Sequence, residues 1–336
     1  MKVFVTGGCG FLGSHICEMY RKKGDDVISF DNLTKHELNR TGYNTDAARN
    51  HVLGFLREIG VEVVNGDIRN KDDMAKVSSE CDFIVHAAAQ PAMTIALENP
   101  DLDLTTNVVG TFNVLEVARK LDAPVVVCSS IHVYGNQINY SLKEGKERFF
   151  HDPQAIDENY PILQGSITPL HASKRSAELY TRAFIDSYGL KAAVFRLTGM
   201  YGPRQFGSED HGWVANFAIK TILGKPMVIF GTGKQVRDIL YATDAASAVD
   251  AFYNIGGGVK NIISISECIT LIEKFANKKA KIDIGPKRLG DLWYFVSDIS
   301  KAEKELGWAP KVNNEQGIRE LINWISANIN IFKGNN

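Results

Sequence analysis

The chain has 336 residues, 44% of them apolar and 23% charged, which at about 150 residues per domain is enough for two domains or one large fold with an elaborated lobe. That composition excludes a disordered chain, a collagen and a coiled coil. With 38 basic against 39 acidic side chains, a net charge of −1, and no basic stripe, no nucleic-acid partner is expected.

From the N-terminus, short β-branched runs alternate with amphipathic stretches. Strands are expected at Lys2–Thr6, Val27–Asp31, Val61–Asn65, Phe83–His86 and Val125–Ser129. Helices are expected at Leu12–Lys23, Asp46–Ile59, Lys71–Ser79 and Thr105–Leu121. Strand, helix, strand at this spacing predicts a parallel sheet with right-handed crossovers. The continuous run Val125-Val126-Val127 fits a strand buried on both faces. After about residue 196 the order is less regular: Pro226–Phe230 and Ile262–Ile265 read as strands, and Gly256-Gly257-Gly258 as a turn or close backbone approach. The expected fold is α/β, a Rossmann-type doubly wound parallel sheet with a smaller C-terminal substrate lobe. Residues 1–196, with a return near 234–256, form the first unit, and 197–336 mainly form the second. The final Gly334-Asn335-Asn336 is expected to fray.

The five cysteines, Cys9, Cys17, Cys81, Cys128 and Cys268, are scattered and form no C-x-x-C pair. They fit packed thiols in a reducing, cytoplasmic setting better than disulfides or a metal site. No apolar run approaches the ~18 residues of a membrane span, so no membrane partner is expected. Because the chain opens directly on its first strand, no signal peptide is expected.

Gly7, Gly10 and Gly13 follow the first strand with the spacing G-x-x-G-x-x-G and lead into the first helix. Glycine lets the backbone approach a pyrophosphate, and the helix N-terminus offers it free N–H groups. Asp31 ends the second strand, eighteen residues past Gly13. A carboxylate there accepts the ribose hydroxyls and repels a 2′-phosphate, which favours NAD over NADP. Asp67 closes the third strand, where an adenine edge would lie, and could equally cap the following helix.

Further stretches carry a specific resemblance. They are His86-Ala87-Ala88-Ala89, Thr106-Asn107-Val108-Val109-Gly110-Thr111, Ser129-Ser130-Ile131-His132-Val133-Tyr134-Gly135, Ala172-Ser173-Lys174, Tyr201-Gly202-Pro203-Arg204, Gly231 to Asp238, and Arg288-Leu289-Gly290-Asp291. With the glycine turn, they resemble the NAD-dependent nucleotide-sugar epimerase/dehydratase group of the extended short-chain dehydrogenases/reductases, along essentially the whole chain. Gln90-Pro91-Ala92-Met93-Thr94, Gln205-Phe206-Gly207, Glu209 to Val214 and the long insert from Ser130 to Lys174 are most similar to the CDP-paratose (CDP-tyvelose) 2-epimerases.

The resemblance implies that NAD is held by Gly7, Gly10, Phe11, Leu12, Gly13, Asp31, Asn32, Asp67, Ile68, Ala87, Ala88, Ala89, Asn107, Ser129 and Lys174. It implies a nucleotide-diphosphate sugar bound by Gln90, Met93, Thr198, Gly199, Arg237, Arg288 and Asp291, with the two arginines on the diphosphate. It also implies a homodimer built on the helices near Thr111–Leu121 and Ser173–Tyr188. In such enzymes a lysine-assisted tyrosine takes a sugar hydroxyl proton while a hydride passes to NAD, and the ketone is then reduced from its other face.

The chain departs from that pattern at one position. The family motif is Y-x-x-x-K, and four residues before Lys174 stands Leu170. Leucine cannot transfer a proton. The candidates for the chemistry are therefore Ser130, His132, His171 and Lys174. His132 matches a position where related dehydratases and 3,5-epimerases carry a Glu or Cys acid/base, and an imidazole titrates near neutrality. His171 is one helical turn from Lys174 but rotated about 100° from the missing tyrosine. Three readings follow: an epimerase by transient oxidation, a dehydratase or lyase with His132 as base, and a non-catalytic NAD/nucleotide-sugar binder.

Overall fold

The computed structural model describes residues 1–34, 38, 40–77, 81–247 and 253–333. The last two residues of the expected Lys71–Ser79 helix, part of the expected return near 234–256, and the terminal Gly334-Asn335-Asn336 lie outside the described residues.

The first half alternates as its apolar periodicity dictates: β1 (Lys2–Thr6), α1 (Phe11–Lys22), β2 (Asp26–Asp31), α2 (Thr45–Glu58), β3 (Glu62–Asn65), α3 (Lys71–Val77), β4 (Phe83–His86), α4 (Met93–Glu98), α5 (Pro100–Leu104), α6 (Gly110–Leu121) and β5 (Val125–Ser130). The short hairpin β6 (Lys143–Glu144) and β7 (Phe149–Phe150) lies in the insert before α7 (Pro169–Tyr188) and β8 (Ala192–Leu197).

The chain after β8 adds β9 (Met200–Tyr201), α8 (Trp213–Leu223), β10 (Pro226–Phe230), β11 (Val236–Asp238), β12 (Leu240–Tyr241), α9 (Ala242–Ala246), β13 (Tyr253–Ile255), β14 (Ile262–Ser264), α10 (Ile265–Ala276), β15 (Lys281–Gly285), β16 (Tyr294–Phe295), α11 (Ser300–Leu306) and α12 (Asn314–Ala327).

Seven strands form one sheet in the order β3-β2-β1-β4-β5-β8-β13, and every pair in it is parallel. Val3, Val5, Ile84, Val125, Val126 and Val127 are buried, as strands covered by helices on both faces require. The strand order reverses between β1 and β4. The crevice beyond the carboxyl ends of those strands is where open α/β sheets bind ligands. The C-terminal chain returns to this sheet, since β13 pairs with β8 from Tyr253 opposite Phe195 to Ile255 opposite Leu197. The lobe holds the parallel pair β10-β15 and the three-stranded β14-β11-β16, packed against α8, α10 and α12 through Ile219, Ile269 and Ile322.

Two details differ from expectation. The helix expected from Thr105 starts earlier, as α5, where Asn99 accepts the Leu102 N–H at 3.1 Å and Pro100 takes the first turn. Between α5 and α6, Thr105–Val109 forms a π-helical turn. Such turns insert one residue and swing a side chain out of register; here it carries Asn107. The close approach expected at Gly256-Gly257 is present: a Cβ on Gly256 would sit 2.2 Å from Asp238 Oδ2, and one on Gly257 would sit 2.3 Å from the Ile239 carbonyl oxygen.

Candidate active site

The turn after β1 is built on contacts that only glycine permits. Gly7 has φ +69°, and a Cβ on Gly13 would lie 2.0 Å from the Gly7 carbonyl oxygen. Gly10 stands at the N-cap of α1 and brings no side-chain cap, so the first N–H groups of the helix remain available to a ligand. Asp31 sits at the end of β2, where its two carboxylate oxygens accept the Cys9 N–H at 3.0 Å and the Leu33 N–H at 2.8 Å.

Beside it, Asn32 donates to Asp67 at 3.0 Å, and Arg69 donates to both oxygens of Asp67 at 2.9 and 2.7 Å. Burial opposes ionisation of Asp67, but the bonds from Arg69 and Asn32 outweigh it and hold the carboxyl at about 2. A cradle that a Cβ would fill, open helix N–H groups and an acidic residue on the neighbouring strand fit a dinucleotide.

A cavity of about 630 Å³ runs from this turn past the end of β5 into the lobe. Gly7, Gly10, Phe11, Leu12, Gly13, Asp31, Asn32, Asp67, Ile68, Ala87, Ala88, Ala89, Ser129 and Lys174 line its first part. Asn107 does not line it. Its amide instead spans Gln90, Asp103 and Ser173 at 2.9–3.1 Å and so orders the wall from behind. Asp103, which the sequence reading missed, is the buried centre of that cluster, and burial raises its carboxyl above the ordinary range. Ser129 turns its hydroxyl away from the cavity and donates to Glu178 at 2.8 Å. Glu178 in turn is clamped by Arg196 at 3.0 and 2.9 Å.

Leu170, Lys174 and Glu178 recur every four residues on one face of α7, all buried. Leu170 is 2% exposed and lies on the cavity wall. Lys174 donates to the Cys128 carbonyl at 3.3 Å, and burial lowers its pKa. Ser130 caps the short 3₁₀ turn Ile131–Tyr134 by accepting the His132 N–H at 3.3 Å, and its Oγ lies 2.8 Å from His132 Nδ1. Both residues line the cavity. Burial is the largest cause that pushes His132 down to about 3; His171, Arg237, His211 and Lys174 add to it.

His171 lies elsewhere. It is 0% exposed and is not among the cavity residues. Its Nδ1 accepts the Thr168 N–H at 3.1 Å, closing a capping box at the start of α7. Burial pushes it down to about 4, and among the described residues its Nε2 has no partner. It is 5.5 Å from His132 between ring centroids, edge to face. Tyr134 is also outside the cavity: its hydroxyl donates to Asn254 at 2.8 Å and accepts from Arg196 at 3.0 Å.

In the lobe half, Gln90, Met93, Thr198, Gly199, Arg237, Arg288 and Asp291 line the same cavity. Arg237 donates to the Val236 carbonyl at 2.8 Å and to that of Leu292, and faces Asp291 at 3.7 Å. Arg288 stacks 3.5 Å from the centroid of Phe230 and donates to the Glu209 carbonyl at 2.9 Å. His211, Thr94, Gln205 and Gln235 also line the cavity; they lie in stretches that carry the family resemblance, but none stands out there as a site residue. Thr94 Oγ1, Gln205 Oε1 and Gln235 Oε1 are buried without a partner among the described residues, which suits polar atoms that meet a ligand.

A profile of the NAD dependent epimerase/dehydratase family matches residues 3–265. The chain is 35% identical to the CDP-paratose 2-epimerase of Salmonella typhi, over 97% of this chain and 100% of that protein. Its fold is similar to that of the UDP-glucose 4-epimerase of Thermus thermophilus in complex with NAD, with TM-score 0.79, 29% identity and coverage of 97% and 99%. It is likewise similar to that of the UDP-glucuronic acid 4-epimerase of Bacillus cereus in complex with UDP-glucuronic acid and NAD, with TM-score 0.82, 25% identity and the same coverage.

Proposed function

The chain belongs to the NAD dependent epimerase/dehydratase family, and on that premise we propose that it is an NAD-dependent nucleotide-sugar epimerase in which the pair Ser130–His132 replaces the missing tyrosine. The observation that carries this reading is the 2.8 Å contact between Ser130 Oγ and His132 Nδ1 on the cavity wall, on the same wall as a leucine that cannot move a proton. The name of the Salmonella relative supports a CDP-sugar as substrate.

The glycine turn, Asp31 and Lys174 would hold the coenzyme. Bound there, oxidised NAD supplies the acceptor, and then the donor, of a hydride at one sugar carbon. Ser130 orients the sugar hydroxyl. With the ring proton of His132 on Nε2, Nδ1 accepts the Ser130 hydroxyl proton as Ser130 takes that of the sugar, and the transfer reverses when the ketone is reduced. The wall around Leu170 excludes water. Arg237 and Arg288 would clamp the diphosphate, with planar donors suited to it.

A lyase needs an acid for its leaving group beside the base at His132. Position 131, next to it, is an isoleucine, and this favours the isomerase. The experiment is turnover of CDP-, UDP-, GDP- and dTDP-sugars in heavy water. Inversion without deuterium in the product is expected. A product lighter by water would make it a lyase, and tight NAD binding with no turnover would make it a binder.

Two variants separate the parts. Asp31→Ala is expected to weaken NAD binding about 10- to 100-fold, since it removes a charged acceptor, and to narrow the preference over NADP; calorimetry with both coenzymes checks this. His171→Ala is expected to cost about 1–3 kcal/mol in urea unfolding, through the lost cap and the space left behind, while kcat stays within about threefold.

Val109 is exposed on the π turn that leads into α6, and Leu179, Tyr180 and Tyr188 are exposed on α7. They support a homodimer closed on these helices, and a monomer by light scattering would contradict it.

A further inference from the structure

The parallel pair β10-β15 has an open side. Among the described residues, no strand lies beyond β15. The Gly285 carbonyl accepts the Gly231 N–H at 3.2 Å, so Gly285, Asp283 and Lys281 turn their backbone groups toward β10. By alternation, the N–H and C=O groups of Ile282 and Ile284 point outward, and among the described residues no hydrogen bond reaches them. Ile282 is 43% exposed and Ile284 68%. They share a face with Met227 and Ile229, their buried partners on β10. Lys281 and Asp283 are exposed on the other face, and among the described residues neither has an ion pair. Edge strands are usually blunted by proline, a bulge or lysines. Here there is no proline, and the one lysine is followed two residues later by an aspartate.

We propose that β15 is a self-association strand, which pairs antiparallel with the β15 of a second copy of this chain about a twofold axis at Ile282. In that register Lys281 lies opposite Asp283 of the second copy, and Asp283 opposite its Lys281. On the other face Ile282 meets Ile282, and Ala280 meets Ile284. The outward backbone groups fall at the hydrogen-bonded positions of the new ladder. The two Lys–Asp pairs fall at the intervening positions, where opposed side chains come closest. The Ala280 N–H is already held by Glu273 at 2.9 Å, which ends the ladder there. Moving the axis by one residue, to Lys281 or to Asp283, would set like charges opposite each other at the axis, so the charge pattern selects the register.

The contact is isologous, with the same strand on both sides, and it uses none of the exposed residues of α7. Strands of five residues bury less than a stable dimer needs, so the association is weak and depends on concentration.

The test combines sedimentation velocity with cross-linking of the full chain. Over about a hundredfold range of concentration, an association step is expected in the upper part. Asp283→Lys is expected to weaken it about 5- to 100-fold, since two attractive cross-strand pairs become repulsive. The charge swap Lys281→Asp with Asp283→Lys restores the opposed pairs and is expected to recover it. In Ile282→Cys the two copies bring their Cα atoms to about 5.5 Å, within disulfide reach, and diamide is expected to give a covalent dimer. Ile284→Cys, four positions out of step with its own copy, is expected to give little. The native cysteines are buried or half-buried. No association step in the wild type would overturn the proposal, as would no cross-link through Ile282→Cys. Equal cross-linking through Ile284→Cys, undiminished association of Asp283→Lys, or no recovery in the charge swap would overturn it too.

Discussion

His132→Gln lowers kcat by about 10²- to 10⁴-fold, the range expected for loss of a general acid/base, while NAD content and KM stay near wild type. The reason lies in what remains beside Leu170. Ser130 keeps its hydroxyl but loses the acceptor 2.8 Å away that draws off its proton. Lys174 cannot substitute, since it donates to the Cys128 carbonyl. His171 cannot either, since its Nδ1 is engaged by the Thr168 N–H and it stands outside the cavity. Steady-state kinetics on the sugar that turns over checks this, and a kcat within about threefold of wild type would remove His132 from the chemistry. Adding Leu170→Tyr to the same variant restores a hydroxyl four residues before Lys174, and part of the lost rate is expected to return.

The second large effect is on stability. Arg196→Ala costs about 3–5 kcal/mol in urea unfolding, because removing one partner leaves a buried charge uncompensated. Glu178 is 0% exposed. It takes two bonds from Arg196, at 3.0 and 2.9 Å, and one from Ser129. Arg196 also donates to the Tyr134 hydroxyl at 3.0 Å. This network fixes Ser129 and the end of β5, from which Ser130 and His132 project, so the surviving folded fraction should also turn over more slowly. Arg175 reaches Glu178 at 2.8 Å from a more exposed position; Arg175→Ala is expected to cost about 1 kcal/mol or less. Equal losses in the two variants would contradict the assignment of Arg196 as the principal partner.

The parts of the site written in short, local spacing are legible in the sequence. The glycine turn needs only β1 before it and α1 after it, and Asp31 follows at the end of the next strand. Leu170 is legible as a departure, because Lys174 marks where the tyrosine belongs. The strand order is legible to the extent that alternating strands and helices force a parallel sheet.

What escapes is tertiary. The π turn at Asn107 arises because its amide is drawn to Gln90, Asp103 and Ser173, residues up to 66 positions away. His211 and Gln235 fall in stretches that carry the family resemblance, but that they line the cavity follows from how the chain after β8 packs against the end of β5, which no local spacing states. The place of His171 was partly readable. Thr168 stands three residues before it, at the start of an apolar-faced helix, which is capping-box spacing with an imidazole in place of the usual Glu or Gln.

The central claim is that hydroxyl proton transfer runs through Ser130 and His132 in a site holding NAD and a nucleotide-diphosphate sugar. A crystal structure with NAD and CDP-glucose tests it most directly. The account predicts the diphosphate on Arg237 and Arg288, and a sugar hydroxyl in hydrogen-bond contact with Ser130 Oγ while His132 remains bonded to Ser130. A sugar seated away from Ser130, with its reacting hydroxyl on some other proton-transferring group, would contradict it.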